Sequence, residues 1–120
     1  SPDQTILKTG TKQVILPSFE GLMGILKDHI SLVTFLRPGL IEAQTDKGNE
    51  KLFVEDGTVE LNNNNLLILS STVRNTKNLS KDEIDSMIKD SEEKIKNNDI
   101  KDKEKYILSH KINTLKDIKQ

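Results

Sequence analysis

The stretch Leu52-Phe53-Val54-Glu55-Asp56-Gly57-Thr58-Val59-Glu60-Leu61-Asn62-Asn63-Asn64-Asn65-Leu66-Leu67-Ile68-Leu69 decides the fold class. It holds three apolar runs of strand length, separated by Asp56-Gly57 and by four asparagines. Glycine enters positive φ without a Cβ penalty and asparagine tolerates it, so both breaks read as hairpin turns. The asparagine run is read as a hairpin loop, because an apolar run flanks it on each side.

The same punctuation extends toward the N-terminus. The runs are Val14-Ile15-Leu16, Gly24-Ile25-Leu26, Leu32-Val33-Thr34-Phe35-Leu36 and Leu40-Ile41. The breaks are Pro17-Ser18, Lys27-Asp28, Pro38-Gly39 and Asp46-Lys47-Gly48-Asn49, with Gly48 expected at positive φ. Short strands spaced by about 8 to 12 residues with turn signals between them point to a β sandwich or barrel. Gly21 and Gly24 read as backbone devices at a strand edge.

Toward the C-terminus the period changes. Neither glycine nor proline occurs from Asn78 to Gln120, and charge density rises. Ser80-Lys81-Asp82-Glu83 has the form of a capping box, with Ser80 as N-cap. Leu79, Ile84, Met87, Ile88 and Ile95 then share one helical face, and Asn97-Asn98-Asp99 breaks the pattern. A second stripe follows in Leu108, Ile112, Leu115 and Ile118, with Tyr106 and Ile107 at its edge. The expected architecture is therefore mainly β plus α: a β-sandwich domain over 1–76 and an antiparallel two-helix hairpin over 77–120. Both stripes are narrow, and helices of this length are marginal alone in water. The hairpin is expected to rest on the sandwich or on a partner, and to open at low cost.

Composition removes several functions. The 120 residues carry 18 basic and 19 acidic side chains, so no cationic excess exists to neutralise a nucleic-acid backbone. With no cysteine, thiol catalysis, disulfides and cysteine zinc sites are excluded. No apolar run approaches the roughly 20 residues of a membrane helix, and no signal peptide is read in 1–10. Membrane association is expected only through partners. A chain this small buries a limited core, which again suggests reliance on a partner.

Catalytic patterns are missing too. His29 and His110 are the two histidines and fall in different halves. His29 reads as a turn residue and His110 as a solvated helix position. Gly21-Leu22-Met23-Gly24 lacks the Lys-Ser/Thr of a phosphate loop. Ser70-Ser71-Thr72 fits no nucleophile elbow, and Asp82-Glu83-Ile84-Asp85 and Glu92-Glu93 match no calcium loop. No cofactor and no metal is expected, and an enzyme is disfavoured.

Order and spacing across the whole chain resemble the epsilon subunits of rotary ATP synthases. Glu20-Gly21, Gly24-Ile25-Leu26, His29 and Leu36-Arg37-Pro38-Gly39 match that family's Glu-Gly-x-x-Gly segment, its following histidine and its Pro-Gly strand closure. Ser1-Pro2-Asp3 and the Phe53 to Glu60 segment correspond as well. Two departures stand out. The family's first strand precedes the Ser-Pro-Asp position, so the sandwich is expected to lack it here. The prolines that flank the family histidine are replaced in Lys27-Asp28-His29-Ile30-Ser31.

The resemblance implies a non-catalytic rotor subunit that binds the gamma subunit and sits on the membrane ring of c subunits. A loop carrying Glu20, Gly21, Leu22, Met23 and His29 would face the ring, with Phe19 beside it. The other reading of Phe19, Leu22 and Met23 is that they tuck into their own core. The hairpin, packed through Ile84, Met87, Ile88, Ile95, Leu108, Ile112 and Leu115, would restrain ATP hydrolysis and reach the alpha/beta catalytic head. The implied place is the cytoplasmic face of a bacterial inner membrane, or the matrix face in mitochondria, where the equivalent is called delta. Some members bind ATP through an Ile/Leu-Asp-x-x-Arg-Ala motif. Ile84-Asp85-Ser86-Met87-Ile88 begins like it but puts Ile88 at the arginine position, so ATP binding is expected to be absent or very weak. The alternative is a free-standing sandwich module whose hairpin docks an unrelated partner.

Overall fold

The structure, a computed structural model, describes residues 4–5, 11–19, 21–26, 32–45, 48–62 and 65–119. In chain order the strands are β1 (Gln4–Thr5), β2 (Thr11–Ser18), β3 (Gly21–Leu26), β4 (Leu32–Phe35), β5 (Gly39–Thr45), β6 (Gly48–Val54), β7 (Thr58–Asn62), β8 (Asn65–Ser70) and β9 (Arg74–Asn75). A 3₁₀ turn (Thr76–Asn78) leads to helices α1 (Lys81–Ile95) and α2 (Asp102–Lys119). The strands form two antiparallel sheets, ordered β1-β8-β7-β4 and β3-β2-β5-β6-β9. The expected sandwich followed by a helical hairpin is what the chain forms. No helix among the described residues is long and apolar enough to cross a membrane.

Turn chemistry sets the registers. Gly48 and Gly57 adopt φ of 112° and 131°, as their places at the β5–β6 and β6–β7 turns require. Thr45 faces Gly48, and Asn62 faces Asn65, so the β7–β8 pairing runs into the asparagine run from both sides. Ser70, Thr72 and Asp56 brace the β6–β7 turn. The Asp56 carboxylate accepts from Thr72 Oγ1 at 3.2 Å and from Ser70 Oγ at 3.4 Å, while Glu55 N–H donates to Thr72 Oγ1 at 3.0 Å. The serine-threonine cluster is thus a structural brace.

Between the sheets lies a core of Val14, Leu16, Leu36, Ile41, Ala43, Leu52, Val54, Val59 and Ile68. The period-2 alternation of a strand sends Phe53, between Leu52 and Val54, to the opposite face. There it is fully buried against Leu79, Ile84, Ile88, Ile112 and Leu115, with Leu40, Met87, Ile95 and Ile118 packed around. The hairpin therefore rests on the outer face of β5 and β6, as its narrow stripes led us to expect. Both faces of the Leu52-Phe53-Val54 run are covered, which explains why the run is continuously apolar.

One expected break is displaced. Pro17-Ser18 does not end the strand; β2 continues through both and turns at Phe19. Proline is tolerated because the β2–β5 ladder has already ended at the Ile15–Glu42 pair. On that side the Pro17 carbonyl accepts instead from Arg37 N–H at 2.9 Å.

Helix ends follow their sequence signals. Ser80 Oγ accepts from Glu83 N–H at 3.1 Å, and the Glu83 carboxylate accepts from Ser80 N–H at 3.2 Å, closing the capping box. Asn97 ends α1: its carbonyl accepts from Ile100 N–H at 3.2 Å and its side chain from Asp99 N–H at 2.9 Å.

Candidate contact surfaces

The β2–β3 hairpin carries most of the residues that sequence singled out for ring contact. Gly21, Leu22 and Met23 lie in strand β3, not in a loop, and pair with Ser18, Pro17 and Leu16. The strand forms on the edge of β2 that faces away from β5, and β3 ends the five-stranded sheet there. Glycines at 21 and 24 thus occupy an edge strand, as expected. Glu20 and His29 lie outside the described residues. Phe19 stands at the turn, 43% exposed.

Phe19 is held from the helical side. Its ring stacks on Tyr106 of α2, with centroids 6.0 Å apart and planes 21° apart. Lys103 Nζ lies 5.8 Å from the Phe19 centroid, a cation–π contact. Tyr106 meets His110 edge-on at 4.4 Å. A ladder of rings therefore runs from the sandwich turn down α2. It was not visible in sequence, because Phe19 and Tyr106 stand far apart in the chain.

His110 is half-buried, not the solvated position expected from sequence. It lines a cleft of about 280 Å³ with Pro17, Arg37, Gly39, Leu40, Glu42, Asn113, Thr114 and Asp117. Burial, and then the nearby Arg37 charge, lower its pKa from the ordinary 6.5. Arg37 itself is buried. One of its amino groups donates to the Pro38 carbonyl at 3.1 Å, while its Nε has no partner. The Pro38-Gly39 step is fixed by packing, since a Cβ on Gly39 would overlap the Pro17 ring.

A second surface lies on β4, an edge of the four-stranded sheet. Val33 and Phe35 are 63% and 67% exposed on its outer side. The hairpin covers the outer face of the other sheet, and among the described residues nothing covers this apolar pair. Two exposed large apolar side chains at i and i+2 on one strand are a contact signature.

The hairpin is tied down by charges at its margins. Lys111 and Glu55 pair at 2.6 Å, and Lys119 and Asp85 at 2.5 Å, the latter joining α2 to α1. Lys116 reaches Glu92 at 3.9 Å. Arg74 of β9 donates to Glu83 at 2.6 Å. That bond, followed by the cap bonds to Ser80, lowers the Glu83 pKa from 4.5. Of the hairpin residues named from sequence, Ile84, Met87, Ile88, Ile95, Ile112 and Leu115 share the cluster around Phe53. Leu108 does not; it is half-buried at the loop end, lining a cleft with Lys94, Asn97, Ile100 and Ile107. Among the described residues no group of three or more His, Cys, Asp or Glu is placed to hold a metal ion.

Comparison with known proteins places the chain in a family. A family described as "ATP synthase, Delta/Epsilon chain, beta-sandwich domain" matches residues 1–76. An ATP synthase epsilon chain of Pelagibacter ubique (strain HTCC1062) is 45% identical over 117 residues, covering 97% of this chain and 90% of that protein. Among solved structures, a chain of the Euglena gracilis mitochondrial ATP synthase (OSCP/F1/c-ring) superposes with a TM-score of 0.69 at 17% identity, covering 89% of this chain and 69% of its own. A chain of the Tetrahymena thermophila mitochondrial ATP synthase central stalk and c ring gives 0.55 at 10% identity, covering 92% and 84%. By the family match and the near-full-length relative, the chain belongs to the ATP synthase delta/epsilon family and is a non-catalytic subunit of that kind rather than an enzyme.

Proposed function

We propose that the chain is the rotor subunit that joins the gamma subunit to the c ring and turns with both. The near-full-length identity to an epsilon chain carries this reading. Its geometry suits the task. A sandwich with two separate contact surfaces passes torque between partners without chemistry of its own.

We assign the β2–β3 hairpin, with Gly21, Leu22 and Met23, to the c ring, together with Glu20 and His29 by their match to the family's motif. The outer face of β4, with Val33 and Phe35, is assigned to gamma, because the equivalent face of the other sheet is occupied by the hairpin. The docked hairpin is assigned the restraint on ATP hydrolysis, through contact with the alpha/beta head when released. Residues 1–76 serve as the connector and 77–120 as the regulator. The site faces the cytoplasm at a bacterial inner membrane, a reading the bacterial relative supports over the mitochondrial alternative. ATP sensing is not part of the role. Ile88, at the position of the motif's arginine, is buried in the hairpin core, and Asp85 is held by Lys119. An ATP titration is expected to show no submillimolar binding.

Affinity isolation of the tagged chain from membranes tests the assignment. Gamma and c subunits are expected in the eluate, and Phe35→Glu is expected to lose gamma while the chain stays folded. Isolation without either subunit would overturn the role.

A further inference from the structure

The junction of α2 with the sandwich contains a built-in titratable contact. His110 is half-buried between the Tyr106 ring and the cleft that Arg37 lines. Arg37 comes from the β4–β5 connection and is nine-tenths buried, with an unpartnered Nε. From β5 the cleft receives Glu42, and from α2 itself Asp117. Among the described residues neither carboxylate forms an ion pair with Arg37 or His110. Glu42 is itself paired with Lys51 at 3.8 Å, and of the other charges at this junction Glu55 is paired with Lys111 and Lys103 lies over Phe19.

We propose that His110 is a pH-sensitive latch: neutral, it lets α2 lie on the sandwich, and protonated, it sets a second cation beside buried Arg37 and loosens the helix. The Tyr106–Phe19 stack carries the change to the β2–β3 turn, because α2 cannot lift without parting those rings. Burial opposes the charged imidazole, and the carboxylates of Glu42 and Asp117 offset only part of the repulsion, since neither reaches bonding distance. A histidine whose pKa falls on folding leaves the unfolded or undocked form binding more protons below 6.5. Docking therefore weakens as pH drops through that value and levels off below the docked-state pKa. The ratio of docked to open chains falls by about tenfold for each pH unit separating the two values. The latch is a property of this chain alone and stands whether or not the turn meets a ring.

The absence of cysteine gives a clean test. Spin labels on Asn49→Cys and Lys105→Cys, both exposed, report the distance between β6 and α2 in the full chain. From pH 7.5 to 5.0 the open fraction is expected to rise in the wild type, to stay flat in His110→Gln, and to be high throughout in His110→Lys. A rise that persists in His110→Gln would overturn the latch, as would a flat wild type. An NMR titration of His29→Gln, with a single imidazole left, supplies the second reading. A His110 pKa below 6.5, with Tyr106 and Phe19 ring signals following the same curve, is expected. A value at or above 6.5 would contradict the proposal.

Discussion

Two glycines with the same role in sequence differ in what surrounds them. Both Gly48 and Gly57 have positive φ, but a Cβ at Gly48 meets nothing within 4 Å. At Gly57 it would overlap the Leu69 carbonyl and come within 2.8 Å of Ser70 Cβ. Gly48→Ala is therefore expected to cost about 1 kcal/mol through backbone strain alone. Gly57→Ala is expected to cost more, about 2–3 kcal/mol. Urea unfolding of the two variants checks the order, and equal midpoints would contradict it. Glu83 offers a pH reading. Its pKa falls below 4.5 on folding, mainly through the Arg74 bond. Its contribution is thus present at neutral pH and lost as pH falls through the folded value. The stability difference between wild type and Glu83→Gln is expected to shrink as pH falls below 4.5. A difference that stays constant from pH 7 to 3 would refute the assignment. At this scale sequence read the capping box and both turn glycines correctly. It misjudged His110, because its neighbours Arg37 and Tyr106 are brought to it only by the docking of α2.

Elements were legible where the period was clear. The strands from β2 to β8, both helices and the asparagine hairpin all follow from local pattern. The β2 continuation through Pro17 did not, because tolerance of that proline depends on where the β5 ladder ends. Phe53 is the informative residue of this scale. A continuous apolar run signalled burial on both faces, yet the partner of the second face lies about thirty residues on. It is the side chain through which the hairpin sits on the sandwich. Phe53→Ala is expected to cost about 3–5 kcal/mol. The hairpin is expected to detach first, seen as fast amide exchange in α1 and α2 while β7 and β8 stay protected. Uniform loss of protection across both units would show instead that they unfold together. By comparison, Ser80→Ala removes one cap bond and is expected to cost about 1 kcal/mol.

For the whole molecule, the sandwich presents one sheet to its own helices and the other to the outside. That asymmetry was not readable in sequence, since Val33 and Phe35 look like any core pair until the β4 edge position exposes them. Val33→Ser and Phe35→Ser are expected to leave stability within about 0.5 kcal/mol, and to weaken assembly with the partner subunit. The resemblance to the family was legible in the order of Glu20-Gly21, Gly24, His29 and Pro38-Gly39, of which the Pro38-Gly39 pair now has a packing reason in Pro17. The ring-facing role of the β2–β3 end is the central claim. It is tested most directly by a cysteine at Leu22, crosslinked in the intact membrane-bound synthase. The account predicts a product joining this chain to a c subunit; products with other subunits only, or none, would contradict it.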